Sequence, residues 1–351
     1  MKSDLPQIVT PLLDWYASHA RILPWRDHPS PYRVWVSEIM LQQTRVEAVK
    51  PYFERFIREL PDIAALAGAP EQQLLKLWEG LGYYSRVRSL QKAAALVMEQ
   101  YGGALPQEPE ELLRLPGIGD YTAGAIASIA FGRPAPAVDG NVLRVISRVT
   151  ASRKSISDPA VKRTVSENLK TVYPAGRAGD FTQSLMELGA LVCLPNGAPK
   201  CDACPLRTFC KAHLNGLEAE LPVKAAKKPR RIEAHTVFLI TCGEKAAIRR
   251  RPQNGLLAGL WEFPGVPGRL CVREAEELLS QWGIAVKSLE RLEPVKHIFT
   301  HVEWKMEGYL VSAGSCSAKT GLIWVNREEL AERYSLPSAF KKFTAKIFIG
   351  D

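Results

Sequence analysis

Apolar side chains recur three and four positions apart along the first two thirds of the chain, which is the spacing of one face of an α-helix. Pro and Gly interrupt the pattern, so it predicts a series of separate helices. The segments with this period are 49–60, 70–79, 85–101, 121–131, 140–151, 158–172 and 181–192. Alternating, strand-like patterns are scarce before about residue 212.

The pattern changes at residues 217–234, which are basic, contain Pro222 and Pro229, and have few large apolar side chains. This composition predicts a linker. The segments that then alternate as strands do are His235–Cys242, Ala246–Arg251, Ile298–Val311 and Leu322–Asn326, and those with a helical period are 272–282, 327–333 and 337–348. We therefore predict a multi-domain protein, with an all-α domain over 1–216, the linker over 217–234 and a smaller α+β domain over 235–351.

The composition is that of a globular protein, since 46% of the residues are apolar and 24% are charged, and this excludes a disordered or fibrous chain. No apolar run is long enough to span a membrane and the first residues do not form a secretory signal, so we expect a cytoplasmic protein. The net charge of +9 is uneven, with +2 over residues 1–221 and +7 over 222–351. It is compatible with a polyanionic partner, but contacts of the first part must come from local geometry.

Four of the seven cysteines fall within 18 residues, in the pattern Cys193-x7-Cys201-x2-Cys204-x5-Cys210. Four clustered thiolates can surround one metal centre, because each supplies a soft anionic ligand. A zinc site usually has two short Cys-x2-Cys pairs, and only one is present, so an iron–sulfur cluster fits the spacing at least as well. Spacing alone leaves zinc and iron–sulfur open.

A glycine-rich turn, Leu115-Pro116-Gly117-Ile118-Gly119, lies between two helical patterns. Glycines allow positive φ and close approach of the backbone. Such a turn directs the free N–H groups of the next helix outward, where they can bind a phosphate without a lysine. The turn therefore predicts a helix-hairpin-helix contact with DNA, against the simpler alternative of an ordinary turn between helices.

Two carboxylates stand out. Glu38 lies in an apolar helical run, where partial desolvation would raise its pKa and suit a general acid. The alternative, which the pattern taken alone favours, is a residue on the solvent-facing side of the helix. Asp139, in Val138-Asp139-Gly140-Asn141, precedes a helix and is expected to be its N-cap, which would keep it ionised through the helix dipole. Two acids whose pKa values differ suit protonation of a leaving group and stabilisation of a cationic sugar. Only the fold can bring them together.

At these residues the chain resembles the MutY-type adenine DNA glycosylases of the helix-hairpin-helix superfamily, nearly from end to end. The motifs that carry the resemblance are Pro24-Trp25-Arg26, the run from Trp35 to Thr44, the run from Trp78 to Tyr84, the Leu-Pro-Gly-Ile-Gly turn, the Asp-Gly-Asn run, the four cysteines, the run from Trp261 to Gly265, and Phe299-Thr300-His301. The family usually has six residues between the first two cysteines, and this chain has seven.

The resemblance implies hydrolysis of the N-glycosidic bond of adenine opposite 8-oxoguanine or guanine in double-stranded DNA. It also implies a 4Fe–4S cluster on Cys193, Cys201, Cys204 and Cys210, and a Nudix-like (MutT-like) C-terminal domain that reads the lesion. We expect a monomer.

Carried over residue by residue, the resemblance implies that Glu38 protonates adenine and helps activate water, and that Asp139 stabilises the oxocarbenium-like sugar. It implies that Tyr121 and Asn141 line the catalytic site. The residues that it implies for contact with DNA are Arg26, Gln43, Tyr83, Gly117 and Gly119 in the first domain and Phe299, Thr300 and His301 in the second.

Three other functions fit the sequence less well. A glycosylase/lyase related to endonuclease III would need a lysine two residues after Gly119, where this chain has Tyr121. The presence of both carboxylates argues against a non-catalytic iron–sulfur DNA-binding protein. A Nudix hydrolase would need a dense metal-binding arrangement, and Arg273-Glu274 with Glu276-Glu277 does not meet the full spacing.

Overall fold

The computed structural model describes residues 4–226, 229–317 and 321–347, and these divide into two compact units. The first unit comprises residues 1–69 and 88–226, and the second comprises 70–87 and 227–351. Lys227 and Lys228, part of the expected linker, lie outside the described residues. No helix in the described part of the chain is long and apolar enough to cross a membrane.

The N-terminal two thirds of the chain form helices throughout. They are α1 (Val9–His19), α2 (Pro31–Leu41), α3 (Val46–Glu59), α4 (Ile63–Gly68), α5 (Glu71–Leu77), α6 (Ser85–Gln100), α7 (Pro109–Leu112), α8 (Asp120–Phe131), α9 (Gly140–Val149), α10 (Pro159–Lys170), α11 (Ala178–Leu191) and α12 (Lys211–Leu214). Helix α5 and the first turn of α6 belong to the second unit. The predicted all-α character of this part is confirmed.

A core of buried side chains joins α1, α9 and α11 in the first unit. Leu12 of α1, Ile146 of α9 and Leu188 of α11 are each almost completely buried in it. Each such side chain contributes about 1.5–3 kcal/mol when removed from water. Because α9 and α11 also carry polar residues toward a cavity, this core fixes the positions of those residues.

The second unit is built on an eight-stranded sheet. Its strands are β1 (Arg231–Cys242), β2 (Lys245–Arg250), β3 (Trp261–Glu262), β4 (Gly265–Pro267), β5 (Val286–Arg291), β6 (Val295–Ile298), β7 (Val302–Ala313) and β8 (Ile323–Val325). Its later helices are α13 (Val272–Gln281), α14 (Arg327–Glu332) and α15 (Lys341–Thr344). The predicted α+β character is confirmed.

The two long strands, β1 and β7, are parallel neighbours, and every other pairing in the sheet is antiparallel. Val237 and Leu239 of β1 enter one apolar cluster, and Phe238 and Ile240 enter the cluster on the opposite face. A strand covered on both faces needs apolar side chains at every position, which explains the uninterrupted apolar run in β1.

Three sequence predictions are wrong in detail. The strand expected over 298–311 begins only at Val302, as β7, because residue 298 ends a separate strand, β6, which was not predicted. A tight turn separates the two, in which the Phe299 N–H donates to the Val302 carbonyl at 2.8 Å. A period of two continues through such a hairpin, so the pattern alone does not show the break. Strand β1 begins at Arg231, inside the expected linker. The helix expected over 337–348 is a 3₁₀ turn followed by α15, and residue 348 lies outside the described residues.

Strands β3, β4 and β5 were not predicted. The first two have only two and three residues, and β5 exposes most of its side chains. Short or exposed strands lack the apolar alternation on which sequence recognition depends.

Candidate active site and cysteine cluster

The first unit contains a cavity of about 470 Å³ whose wall includes five of the residues singled out from the sequence: Arg26, Glu38, Tyr121, Asp139 and Asn141. They come from the loop after α1, from α2, from α8, and from the N-terminal end of α9. The two carboxyl groups, 101 positions apart in sequence, therefore open onto one space.

Glu38 is buried in the middle of α2, a helix that Ser30 caps by accepting a hydrogen bond from the Arg33 N–H. The Tyr121 hydroxyl donates a hydrogen bond to Glu38 Oε2 at 2.6 Å. Desolvation is the main reason why the pKa of Glu38 is raised to about 7. The Tyr121 hydrogen bond lowers this pKa, and the nearby Asp139 charge raises it by a smaller amount. The predicted rise in the pKa of Glu38 is confirmed.

Asp139 is the N-cap of α9, as predicted, because its Oδ1 accepts the Val142 N–H at 2.7 Å. Its Oδ2 accepts a hydrogen bond from Asn141 Nδ2 at 2.8 Å. Burial nevertheless raises the pKa of Asp139, and these hydrogen bonds only oppose the rise. The helix N-terminus therefore does not lower the pKa of Asp139 below its ordinary value, because desolvation outweighs it.

Helix α9 also links the cavity to the first cysteine. The Arg144 guanidinium donates to Asn141 Oδ1 at 2.8 Å and to the Cys193 carbonyl at 2.7 Å. Arg148, one turn further along, donates to Cys193 Sγ at 3.3 Å. Gly189 allows α11 to pass close by, since a Cβ there would lie 2.6 Å from the Cβ of Asn141.

The wall of the cavity that α11 forms was not predicted from the sequence. Glu187 of α11 accepts hydrogen bonds from Arg21 Nε at 2.6 Å and from Arg26 Nη2 at 3.0 Å, while Arg26 Nε donates to Gln183 at 2.8 Å. Burial would raise the pKa of Glu187, but the two arginines outweigh it and lower that pKa to about 2. The available signal was the spacing of Gln183 and Glu187, four apart and so on one face of α11.

The glycine-rich turn joins α7 to α8 as a helical hairpin. Gly117 has φ of +79°, and a Cβ there would lie 2.7 Å from the Cβ of Ser89, so this position requires glycine for both conformation and space. Gly119 is the N-cap residue of α8 and is exposed. The N-terminal N–H groups of α8 are therefore available for an anion.

Gln43 and Tyr83 are both exposed and both have positive φ, +61° and +49°. Such a conformation is strained for a side chain with a Cβ and points to a functional constraint. Tyr83 is fixed locally by Arg86, whose guanidinium lies over the rings of Tyr83 and Trp78 and donates to the Leu81 and Gly82 carbonyls. Burial lowers the pKa of Arg86 to about 10.

The Phe299-Thr300-His301 turn lies in the second unit, at the tip of the β6–β7 hairpin. Phe299 is half-buried, with its ring centroid 4.9 Å from that of Trp304, while Thr300 and His301 are exposed. The Thr300 hydroxyl forms a short hydrogen bond with the Tyr83 hydroxyl, which belongs to the same unit.

The four clustered cysteines are all free and partly buried. Burial is the main cause of the raised pKa of Cys201, Cys204 and Cys210, and the neighbouring cysteines contribute to each rise, which places the thiols near one another. The loop with the additional residue still closes, because the Lys200 N–H donates to the Val192 carbonyl at 2.9 Å and Gly197 adopts φ of +71°.

The spacing of the sulfur atoms bears on which metal fits. Four thiolates around one zinc ion lie about 3.8 Å apart, given Zn–S bonds of about 2.3 Å. Within the described ranges, the one group of three ligand atoms closer than 4.8 Å to one another is Cys201, His213 and Glu218. The four free thiols supply soft ligands for either kind of centre, and a cluster in which each thiolate binds a different iron atom is compatible with them.

The acidic residues of α13 serve local structure. Glu274 accepts the Cys271 N–H at 2.7 Å in a capping box, and Glu277 pairs with Arg273 at 3.1 Å. The grouping of ligand atoms found near Cys201 has no counterpart on α13 among the described residues.

Comparison with known proteins agrees with this geometry. Residues 36–171 match the HhH-GPD superfamily of base excision DNA repair proteins, and residues 236–346 match a NUDIX domain. The adenine DNA glycosylase of Rattus norvegicus is 35% identical over 94% of this chain and 76% of its own length. That of Buchnera aphidicola subsp. Baizongia pistaciae is 32% identical over 96% and 95%. The structure of a thermostable thymine-DNA glycosylase is 28% identical, with a TM-score of 0.54 over 61% of this chain and 98% of that chain.

A helix-hairpin-helix domain with two carboxyl groups in one cavity defines a DNA glycosylase of base-excision repair, an enzyme that hydrolyses N-glycosyl bonds. Its second, sheet-containing domain is of the Nudix type. The chain belongs to the family of adenine DNA glycosylases.

The raised pKa of Glu38 predicts a specific dependence of stability on pH. Because the folded state binds this proton more tightly than the unfolded state, the stability contributed by the protonated form is lost as pH rises from about 4.5 to about 7. Glu38→Gln removes the titration. We expect the free energy of unfolding of the variant, relative to the unchanged protein, to rise by about 3 kcal/mol between pH 4.5 and pH 8.

Urea unfolding at several pH values measures this difference. Glu54→Gln, on the exposed side of α3, controls for the loss of one carboxyl group. A difference for Glu38→Gln that stays constant across this pH range would contradict the raised pKa.

Proposed function

We propose that this glycosylase removes adenine that is paired with 8-oxoguanine or guanine in double-stranded DNA. The observation that carries the proposal is Glu38, a buried carboxyl with a pKa of about 7 that opens with Asp139 onto one cavity. The curated relatives named adenine DNA glycosylase support the choice of base. Chemistry on a base requires its nucleotide to leave the duplex and enter such a pocket.

In the proposed reaction Glu38 donates its proton to the departing adenine, so that the base leaves as a neutral molecule. A pKa near 7 suits this step, since part of the carboxyl is protonated at neutral pH. The Tyr121 hydroxyl then donates to the carboxylate that remains, at the oxygen it already contacts. That carboxylate can accept a proton from the attacking water.

Asp139 would stabilise the positive charge that develops on the sugar. Its two oxygens accept hydrogen bonds from Val142 and Asn141, whereas Glu38 has the Tyr121 hydroxyl, so Asp139 is expected to lose its proton first. An ionised carboxylate held in a fixed position interacts with the cation without reorganising. Asn141 has the supporting role of orienting that carboxylate.

Several exposed groups would hold the duplex. The α8 N-terminus after Gly117 and Gly119 suits a phosphate, and Gln43 and Tyr83 have the exposure and strained backbone of residues that enter a base stack. Arg26 is held at the cavity wall by Gln183 and would contact the extruded nucleotide.

The Phe299-Thr300-His301 turn is proposed to read the 8-oxoguanine opposite the adenine. Thr300 and His301 are exposed and can both donate and accept hydrogen bonds, and Thr300 contacts Tyr83. Phe299 packs on Trp304 and would fix how far the turn projects from the sheet.

The four cysteines are proposed to hold a 4Fe–4S cluster. They fit it because all four are free thiols, with Arg148 donating to Cys193 Sγ so that negative charge there is compensated. When bound, such a cluster would cross-link the loop from Cys193 to Cys210, and it takes no part in the glycosidic step proposed above. It would hold the C-terminal end of α11 near Arg144 and so support the position of Asn141.

If Glu38 is the proton donor, Glu38→Gln lowers the single-turnover rate of adenine release by about 10²–10⁴-fold, because an amide keeps the shape of the side chain but cannot donate that proton. The substrate is a duplex with adenine opposite 8-oxoguanine, and its binding should be retained. The rate for the unchanged protein should fall as pH rises above about 7. Near-normal release by the variant, with Glu54→Gln as the control, would remove Glu38 from this role.

The cluster predicts a brown protein with about four iron atoms per chain and visible absorption. Elemental analysis and the spectrum of the purified protein measure this. Cys204→Ser should lose iron, while Cys271→Ser, on an exposed cysteine of the second unit, should keep it. One zinc ion per chain without iron would overturn the assignment.

If the Phe299-Thr300-His301 turn recognises 8-oxoguanine, Phe299→Ala combined with His301→Ala should reduce the preference for adenine opposite 8-oxoguanine over adenine opposite guanine. Thr300→Ala should do the same by up to about tenfold, the effect of one lost hydrogen bond, whereas Thr300→Ser should keep the preference because the hydroxyl remains. The measurement is the ratio of single-turnover rates on the two duplexes. A full preference in folded variants would show that the turn is only structural.

A further inference from the structure

Helix α5 and the turn after it pack with the sheet-containing part of the chain in the second unit, although some 150 residues separate them in sequence. The turn carries Tyr83. The segment Arg333–Leu336 follows α14 and has no regular secondary structure of its own before the 3₁₀ turn at Ser338. Its backbone groups therefore need partners from elsewhere.

Three side chains from α5 and the turn supply those partners, an arrangement that we call the clasp. Gln72 Nε2 donates to the Arg333 carbonyl at 2.7 Å. Lys76 Nζ donates to the Tyr334 carbonyl at 3.2 Å. Glu79 Oε1 accepts the Leu336 N–H at 2.7 Å. The spacing of these side chains, four and then three, places them along one side of α5 and its continuation.

Glu79 is the central member of the clasp. Its second oxygen is bound by Lys76 Nζ at 2.5 Å, so the carboxylate is held in place while it accepts the Leu336 N–H. The site is partly shielded, since Leu336 is 8% exposed and the adjoining Ser335 2%. A charge-assisted hydrogen bond in such surroundings is stronger than one in open solvent.

The segment is also held from its other side. The Ser335 carbonyl accepts the Trp261 N–H at 3.4 Å, and the Tyr334 ring packs edge-on against Trp261 with centroids 4.9 Å apart. The Ser335 hydroxyl lies 3.5 Å from the hydroxyl of Tyr84, the residue next to Tyr83. The clasp thus joins the sheet to the turn beside the exposed tyrosine.

By contrast, the contact between Tyr83 and Thr300 is a single hydrogen bond between two exposed hydroxyls. An exposed contact of this kind competes with water and has little strength of its own. Within the turn around Tyr83, the Arg86 guanidinium donates hydrogen bonds to the Leu81 and Gly82 carbonyls, which constrain the backbone there. Whatever anchors this turn to the sheet determines whether Tyr83 and Thr300 meet.

We propose that Glu79 is a positioning residue for lesion discrimination, which holds the turn bearing Tyr83 against Arg333–Leu336 so that Tyr83 stays beside Thr300. The inference rests on the proposed function, in which these two residues face the 8-oxoguanine pair. Glu79 itself touches neither the DNA nor the reacting atoms.

Glu79→Ala removes the acceptor for the Leu336 N–H. We expect the ratio of single-turnover rates, adenine opposite 8-oxoguanine over adenine opposite guanine, to fall about tenfold, the usual effect of one lost hydrogen bond to a charged group. Glu79→Gln keeps an acceptor oxygen in the same place and should restore most of the ratio. A merely structural role would lower both rates equally and leave the ratio unchanged.

Glu71→Ala is the matched control. Glu71 lies at the start of α5, the helix that leads to Glu79, and it also pairs with a residue of the sheet, Arg250, at 2.9 Å. That pair is exposed and contributes little. The variant should leave the ratio unchanged. An equal loss of discrimination in Glu71→Ala, or none in Glu79→Ala, would overturn the role of Glu79.

Hydrogen–deuterium exchange separates this inference from the proposed function. The Leu336 amide should be protected in the unchanged protein and in Glu79→Gln, and should exchange faster in Glu79→Ala. If Leu336 exchanges freely in the unchanged protein, the clasp is overturned whatever the activity. If protection follows this order but the protein releases no adenine from either duplex, the proposed function fails, and with it the role in discrimination, while the clasp itself stands.

Discussion

The burial of Glu38 is the constraint on which the catalytic unit depends. A carboxyl group removed from water is costly as an anion, and its pKa of about 7 expresses that cost. The surroundings keep it buried with the Tyr121 hydroxyl as its hydrogen-bond partner, so the proton remains available near neutral pH. The stability lost on deprotonation and the capacity to donate a proton have the same physical origin.

Helix α9 connects the two chemical centres of the first unit. Asp139 caps its N-terminus at the cavity, and Arg144 and Arg148, both buried, bind Cys193 from the same helix. Apolar side chains on its other face join the core with α1 and α11. A rigid helix with three such attachments holds the Asp139 carboxyl group and the cysteine loop in a fixed relation, so a change at one is expected to affect the other.

The second unit combines a sheet with a short piece of the helical part of the sequence. Thr300, at the exposed hairpin tip, contacts Tyr83 through one hydrogen bond between hydroxyl groups. Gln72, Lys76 and Glu79 hold the helical piece in place by hydrogen bonds to the backbone of Arg333–Leu336. In the proposed function, recognition and anchoring are thus carried out by different residues. The exposed hydroxyls of Tyr83 and Thr300 can exchange their hydrogen bond for one to a ligand. The half-buried side chains of Lys76 and Glu79 fix the position of the turn.

The sequence by itself determined the helical and α+β parts, the glycine-rich turn and the capping role of Asp139, because each depends on local periodicity or on neighbours in sequence. The burial of Glu38 was not among them, since the pattern around it also fits a residue on the solvent-facing side of its helix. Tertiary structure decided the rest. Only packing brings α2, α8, α9 and α11 around one cavity, adds Glu187 and its arginines to the wall, and raises the pKa of Asp139 against its own helix cap. The contacts of Glu79 also depend on residues far apart in sequence, whose burial and hydrogen bonds no local pattern records.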